Sequence, residues 1–131
     1  MPTRLLIDAS FLAALIRTKD PHHLAATRFY HGHRGVIWVI ATLAYFEFQA
    51  VQSRSGNHYR EVYLEPTEIY ELSMDFTRRC AELHLFERFV RLRGGDLIYA
   101  CIAKLEDIGF VTFDHDFAPY ASEIHIIDPA A

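Results

Sequence analysis

The chain has 131 residues, 51% hydrophobic and 14% aromatic, enough to bury the core of one ordinary domain. Thirteen basic against seventeen acidic residues leave a formal charge of −4. That excludes a global field drawing nucleic acid in, but not a local acidic cluster that a cation would neutralise. No apolar run approaches the roughly 18 residues of a membrane span, and Cys80 and Cys101 lack metal-site spacing, so they are expected in the core.

The elements follow in chain order. Arg4-Leu5-Leu6-Ile7-Asp8 is a continuous apolar run and predicts a buried strand, with a helix over Ala9 to Arg17 behind it. Asp8 interrupts the apolar start and no small-residue cleavage pattern follows, so no signal peptide and a cytoplasmic location are expected. Lys19-Asp20-Pro21 marks a turn, and His22 to Tyr30 a second helix that His31-Gly32-His33-Arg34-Gly35 breaks. The histidines here lack a partner set at zinc spacing and are assigned to solvated loops and helix ends.

Val36 to Ile40 predicts a second buried strand, and Thr42 a cap for a helix from Leu43 to about Ser53. Leu43, Phe46, Ala50 and Val51 form its expected inner face, which Glu47 shares. Ser53 to Asn57 is a polar loop. Pro66-Thr67-Glu68 predicts the opening of a long helix with Ile69, Leu72, Phe76, Cys80 and Leu83 inside. A further helical piece spans Leu85 to Leu92. A helix from Leu97 to Ile108 stops at Gly109, a buried strand covers Phe110 to Phe113, and Phe117 to Tyr120 is a loop. Ile124 to Ile127 is a last strand. The alternation predicts one domain over residues 1–131, a three-layer α/β/α sandwich with a central parallel sheet of four to five strands.

Ligands of an open α/β sheet bind outside the carboxyl ends of its strands. Asp8 and Asp114 fall at such ends, and Asp96 and Glu47 lie on helices that reach the same edge. Asp8 alone could be a helix N-cap. Glu47 has no capping role, and burying it unpaired is costly. Crowded carboxylates repel, so some protonate or a cation sits among them. Oxygen ligands without a histidine or cysteine set favour Mg²⁺ or Mn²⁺ over zinc. The chemistry these acids point to is metal-assisted phosphodiester hydrolysis. Arg88, Arg91 and Arg93, just upstream of Asp96, are the local candidates for phosphate contacts.

Leu6-Ile7-Asp8-Ala9-Ser10, the segment from Thr42 to Glu47, Asp96-Leu97-Ile98-Tyr99-Ala100 and Val111-Thr112-Phe113-Asp114-His115-Asp116-Phe117 resemble the PIN-domain nucleases. Their order and spacing look most like the small VapC-type toxins of toxin–antitoxin pairs. The resemblance implies a metal-dependent endoribonuclease leaving a 5′-phosphate and a 3′-hydroxyl. Asp8, Glu47, Asp96 and Asp114 match the family's four acids, and Asp116 a further acid often present there. Ser10 matches a small polar residue supporting the first aspartate. Gly94-Gly95 stands where many relatives carry Ser or Thr. The resemblance also implies a homodimer, held inactive by a small antitoxin that a groove lined by Tyr45, Phe46 and Tyr99 would suit.

Competing readings are a PIN nuclease that processes RNA or DNA without an antitoxin, and an inactive PIN-like interaction module. A phosphoacceptor receiver domain would need a strand-end lysine, and neither Lys19 nor Lys104 follows a strand.

Overall fold

The computed structural model describes residues 3–131; the first two residues of the expected 1–131 domain lie outside the described part. Five strands form one sheet: β1 (Arg4–Ile7), β2 (Ile37–Ala41), β3 (Thr67–Tyr70), β4 (Gly109–Val111) and β5 (Ile126–Ile127). All pairings are parallel and the order is β3-β2-β1-β4-β5. The first strand in sequence is therefore the central one. Leu6 and Ile7 pair with Val39 and Ile40 on one side and with Phe110 and Val111 on the other, and all six are fully buried. A strand covered on both faces carries a continuous apolar run rather than an alternating one, which is how these segments read.

The helices are α1 (Ala9–Ile16), α2 (His23–Gly32), α3 (Thr42–Arg54), α4 (Met74–Glu82), α5 (Leu85–Arg88) and α6 (Gly94–Glu106), and a 3₁₀ turn spans His115–Tyr120. The steps from β1 to β2 and from β2 to β3 run the same way along the sheet, so right-handed crossovers place α1 to α3 on one face. The return from β3 to β4 places α4 to α6 on the other. This matches the expected α/β/α layering with five strands.

Four local expectations are corrected. Thr67–Tyr70 is strand β3, and α4 begins only at Met74, where Ser73 Oγ accepts the Phe76 N–H at 3.1 Å. Ile69 and Leu83, expected inside a long helix, are about half exposed. Helix α3 starts at Thr42 itself, which makes no side-chain cap, and its buried stripe is Ala44, Phe48 and Gln52. Phe46, expected inside, is 73% exposed. The helix between Leu85 and Leu92 is a single turn ending at Arg88. Finally, α6 is stopped by Asp107 in the left-handed region (φ 51°), and Gly109 opens β4 instead. A Cβ there would meet Ile127 Cδ1 at 2.9 Å and Leu5 Cδ2 at 3.0 Å, so Gly109 permits the tight packing of β4 between its neighbours.

Candidate active site

The strand order turns at β1: the chain leaves it towards β2 and returns much later to pair β4 on its other side. A crevice forms at such a turning point, at the carboxyl edge. Asp8 directly follows β1, and Thr112 and Asp114 follow β4.

Asp8 is 5% exposed and caps α1. Its Oδ1 accepts the Ser10 hydroxyl at 2.7 Å and the Phe11 N–H at 2.9 Å; its Oδ2 accepts the Thr112 hydroxyl at 2.6 Å. Burial pushes its carboxyl above the usual range; the three donors pull it down, and the charge of Asp114 pushes it up again. Thr112, itself buried, accepts the Asp114 N–H at 3.0 Å, and Asp114 Oδ1 accepts the Asp116 N–H at 2.9 Å. One chain of hydrogen bonds thus runs from Asp116 through Asp114 and Thr112 to Asp8. Asp114 caps the 3₁₀ turn and is not within a strand; His115 lies in that turn, exposed.

Glu47 flanks the buried stripe of α3 rather than sharing it. Its Oε1 accepts the Tyr99 hydroxyl at 2.6 Å. Burial, the bond to Glu47 and the negative charges of Glu47 and Asp8 all hold the Tyr99 phenol protonated, so it remains a donor. Gly95 lets Glu47 come close to the first turn of α6: a Cβ there would stand 3.4 Å from Glu47 Oε2 and 3.3 Å from Leu43 Cδ2. Of the two glycines that stand where many relatives carry Ser or Thr, α3 fills the space at Gly95, whereas a Cβ on Gly94 would meet nothing within 4 Å.

Asp96 sits in the first turn of α6, half-buried. Burial raises its carboxyl first, and the charges of Asp114, Asp116, Asp8 and Glu47 raise it further. The charges of the other four acids singled out from the sequence thus all reach Asp96 at one edge. Among the described residues, no three His, Cys, Asp or Glu side chains stand close enough, as placed, to grip an ion between them. Arg91 and Arg93 line a cavity of about 390 Å³ together with Asp96 and Asp116. Arg88 does not reach it and pairs instead with Glu123 at 3.6 Å.

Two participants carry no mark of their role in the sequence. Thr112 is visible there only as a member of its motif, and Tyr99 only as a motif member and a groove residue, although each makes the shortest contact to its acid. Of the expected groove residues, Tyr99 faces the acids, whereas Tyr45 and Phe46 line a separate apolar cavity of about 670 Å³ with Val62, Tyr63 and Ile69.

No curated protein sequence matches this chain. Its fold resembles that of VapC20 from Mycobacterium tuberculosis, described as a sarcin-ricin-loop-cleaving toxin, with a TM-score of 0.68 and 17% identity over 88% of this chain and 93% of that one. A toxin–antitoxin complex from Klebsiella pneumoniae is similar with a TM-score of 0.71 and 19% identity, covering 95% and 97%. VapBC2 from Rickettsia felis, bound to a promoter DNA fragment, gives 0.62 and 17%, covering 95% and 98%. The PIN domain family matches residues 5–123, nearly the whole length. The chain belongs to the PIN-domain family.

Proposed function

We propose that this chain is a divalent-metal-dependent endoribonuclease and the toxin of a toxin–antitoxin pair, acting in the cytoplasm as a single domain. The observation that carries the reading is the half-buried Asp96, whose carboxyl is raised first by burial and then by the charges of four other acids gathered at the same edge. Such repulsion is relieved when a cation is gathered, and the donor set is all carboxylate oxygen, which suits Mg²⁺ or Mn²⁺. Asp8, Glu47, Asp96 and Asp114 would hold it, with Asp116 beside them. When bound, the metal supplies charge neutralisation at the phosphodiester and a more acidic water.

The chain's own residues do the rest. Ser10, Phe11 and Thr112 fix the Asp8 carboxylate in one orientation. Tyr99 does the same for Glu47. Arg91 and Arg93 take phosphates of the strand beside the acids, which positions RNA without reading its bases. Water attacks phosphorus and the 3′-oxygen leaves with a proton, giving a 5′-phosphate and a 3′-hydroxyl.

The exposed apolar cavity around Phe46 and Tyr63 supports a protein partner, and we assign it to the antitoxin. Met74, Leu83, Phe86 and Val90, exposed on and after α4 and α5, support a homodimer. Phe86→Asp should then elute as a monomer where the native chain elutes as a dimer; no shift removes that surface from the dimer.

Purified protein is expected to cleave RNA with Mg²⁺ or Mn²⁺, to stop with chelator, and to lose at least a hundredfold in rate as Asp8→Asn or Asp96→Asn. Cleavage surviving both substitutions overturns the nuclease site. Expression of the native chain should arrest growth, with relief on co-expressing the small protein of the adjoining reading frame. Growth unaffected by a cleaving enzyme would mark a processing nuclease instead.

A further inference from the structure

Helices α1 and α3 pack on one another, and beyond their carboxyl ends the chain around Asn57–Arg60 closes a cavity of about 560 Å³. Arg17, Lys19, Gln52, His58, Tyr59 and Arg60 line it, and no carboxylate does. In a chain of net charge −4, three permanent cations are gathered here. Among the described residues, none of the three has an acidic partner within 4 Å; Arg17 donates only to Ser55 Oγ, at 3.2 Å. The helix carboxyl ends repel an anion, and the cations outweigh that partial charge.

Gln52 supplies the second, independent observation. It lies on the buried stripe of α3 and lines the cavity at 5% exposure, yet its Oε1 has no hydrogen-bond partner. A buried polar atom left in this state costs stability that an apolar side chain of the same length would not cost. Cations that want an acceptor and an amide oxygen that wants a donor ask for a ligand carrying both. Phosphate alone meets the first need; a ribonucleotide, with its 2′-hydroxyl, meets both.

We propose that this cavity is a ribonucleotide subsite for the RNA strand, distant from the bond that is cut; it rests on the ribonuclease reading above. Arg17, Lys19 and Arg60 hold phosphate, and Tyr59 offers an exposed ring for base stacking. Because Oε1 is itself enclosed, it reaches the 2′-hydroxyl by a half-turn of the terminal amide, which sets Nε2 in the place Oε1 leaves. Helix α1 joins the two sites: Asp8 caps its amino end and Arg17 its carboxyl end, about 13.5 Å apart at roughly 1.5 Å per residue.

The test measures binding of a fluorescein-labelled single-stranded RNA, and of the DNA of the same sequence, with chelator present so that nothing is cut. Native protein, the triple variant Arg17→Gln/Lys19→Gln/Arg60→Gln and Gln52→Met are titrated across a salt series, with circular dichroism to establish folding. For each phosphate no longer neutralised, the slope of log affinity against log salt should fall by about 0.7, so by roughly 2 in the triple variant. Gln52→Met should melt higher than the native chain, bind RNA several-fold more weakly and bind DNA unchanged. A folded triple variant with the native slope overturns the subsite. So does inorganic phosphate that displaces RNA as well as a ribonucleoside monophosphate does, or a Gln52→Met variant that weakens RNA and DNA alike. Native protein that binds with these dependences but never cuts, once metal is restored, removes the nuclease reading and leaves the subsite standing. Cutting with unaltered binding in both variants does the reverse.

Discussion

Asp8 accepts three hydrogen bonds, yet burial still lifts its carboxyl above the ordinary range. The folded chain thus holds this proton more tightly than the unfolded chain does. The stabilising contribution is fully present below the ordinary aspartate value of about 4 and is lost as pH rises through the lifted value. With chelator present, Asp8→Asn should therefore melt above the native chain at pH 7, with the difference shrinking towards pH 4; melting curves at several pH values check this. Asp8, Asp96 and Asp114 are legible in the sequence because each follows an apolar run or opens a helix, and Glu47 because it interrupts an apolar helix face. Thr112 and Tyr99 are not, because neutral hydroxyls are at home in strands and helices. Only the fold reveals that one holds Asp8 and the other Glu47. Arg88 shows the opposite failure: close in sequence to Asp96, it spends its charge on Glu123.

At the scale of elements, apolar residues at almost every position of α3 leave its phase undetermined by sequence. Facing Phe48 inwards turns Phe46 out to solvent and Glu47 to the flank, where Tyr99 meets it. Pro66 and Thr67 imitate a helix start, so the sequence predicts helix where strand β3 forms. Thr-Glu-Ile-Tyr has the β-branched and aromatic composition of a strand, and pairing with β2 decides it. The true start of α4 is set by Ser73. Ser73→Ala should cost about 1 kcal/mol in urea unfolding, whereas a helix continuous from Thr67 would lose almost nothing there.

For the whole molecule, the parallel sheet and its layers are legible, but the central place of β1 is not, since adjacency between strands is decided by packing. The amino edge of the sheet is tied by Arg4, whose Nε donates to Glu68 Oε1 at 3.1 Å and Nη1 to Glu106 Oε1 at 3.2 Å. Tyr70 donates to the other Glu106 oxygen at 3.0 Å. β1, β3 and α6 meet in that cluster, at the opposite end of the sheet from the acids. Arg4→Met should cost about 2 kcal/mol, because Glu106 is left largely buried with fewer donors. RNA cleavage measured below the unfolding midpoint should stay within twofold of native.

The hydrogen bond from Thr112 to Asp8 joins residues 104 positions apart. Asp8 is synthesised well before Thr112, and contacts of such separation form late. β1 can acquire β2 early but must wait for β4, and β4 for β5. Until β4 is made, a growing chain therefore carries Asp8 with only half of its surroundings, and the acids meet only once Asp114 is made. On the ribonuclease reading, a chain stalled before Val111 lacks the assembled acids and should not cleave RNA.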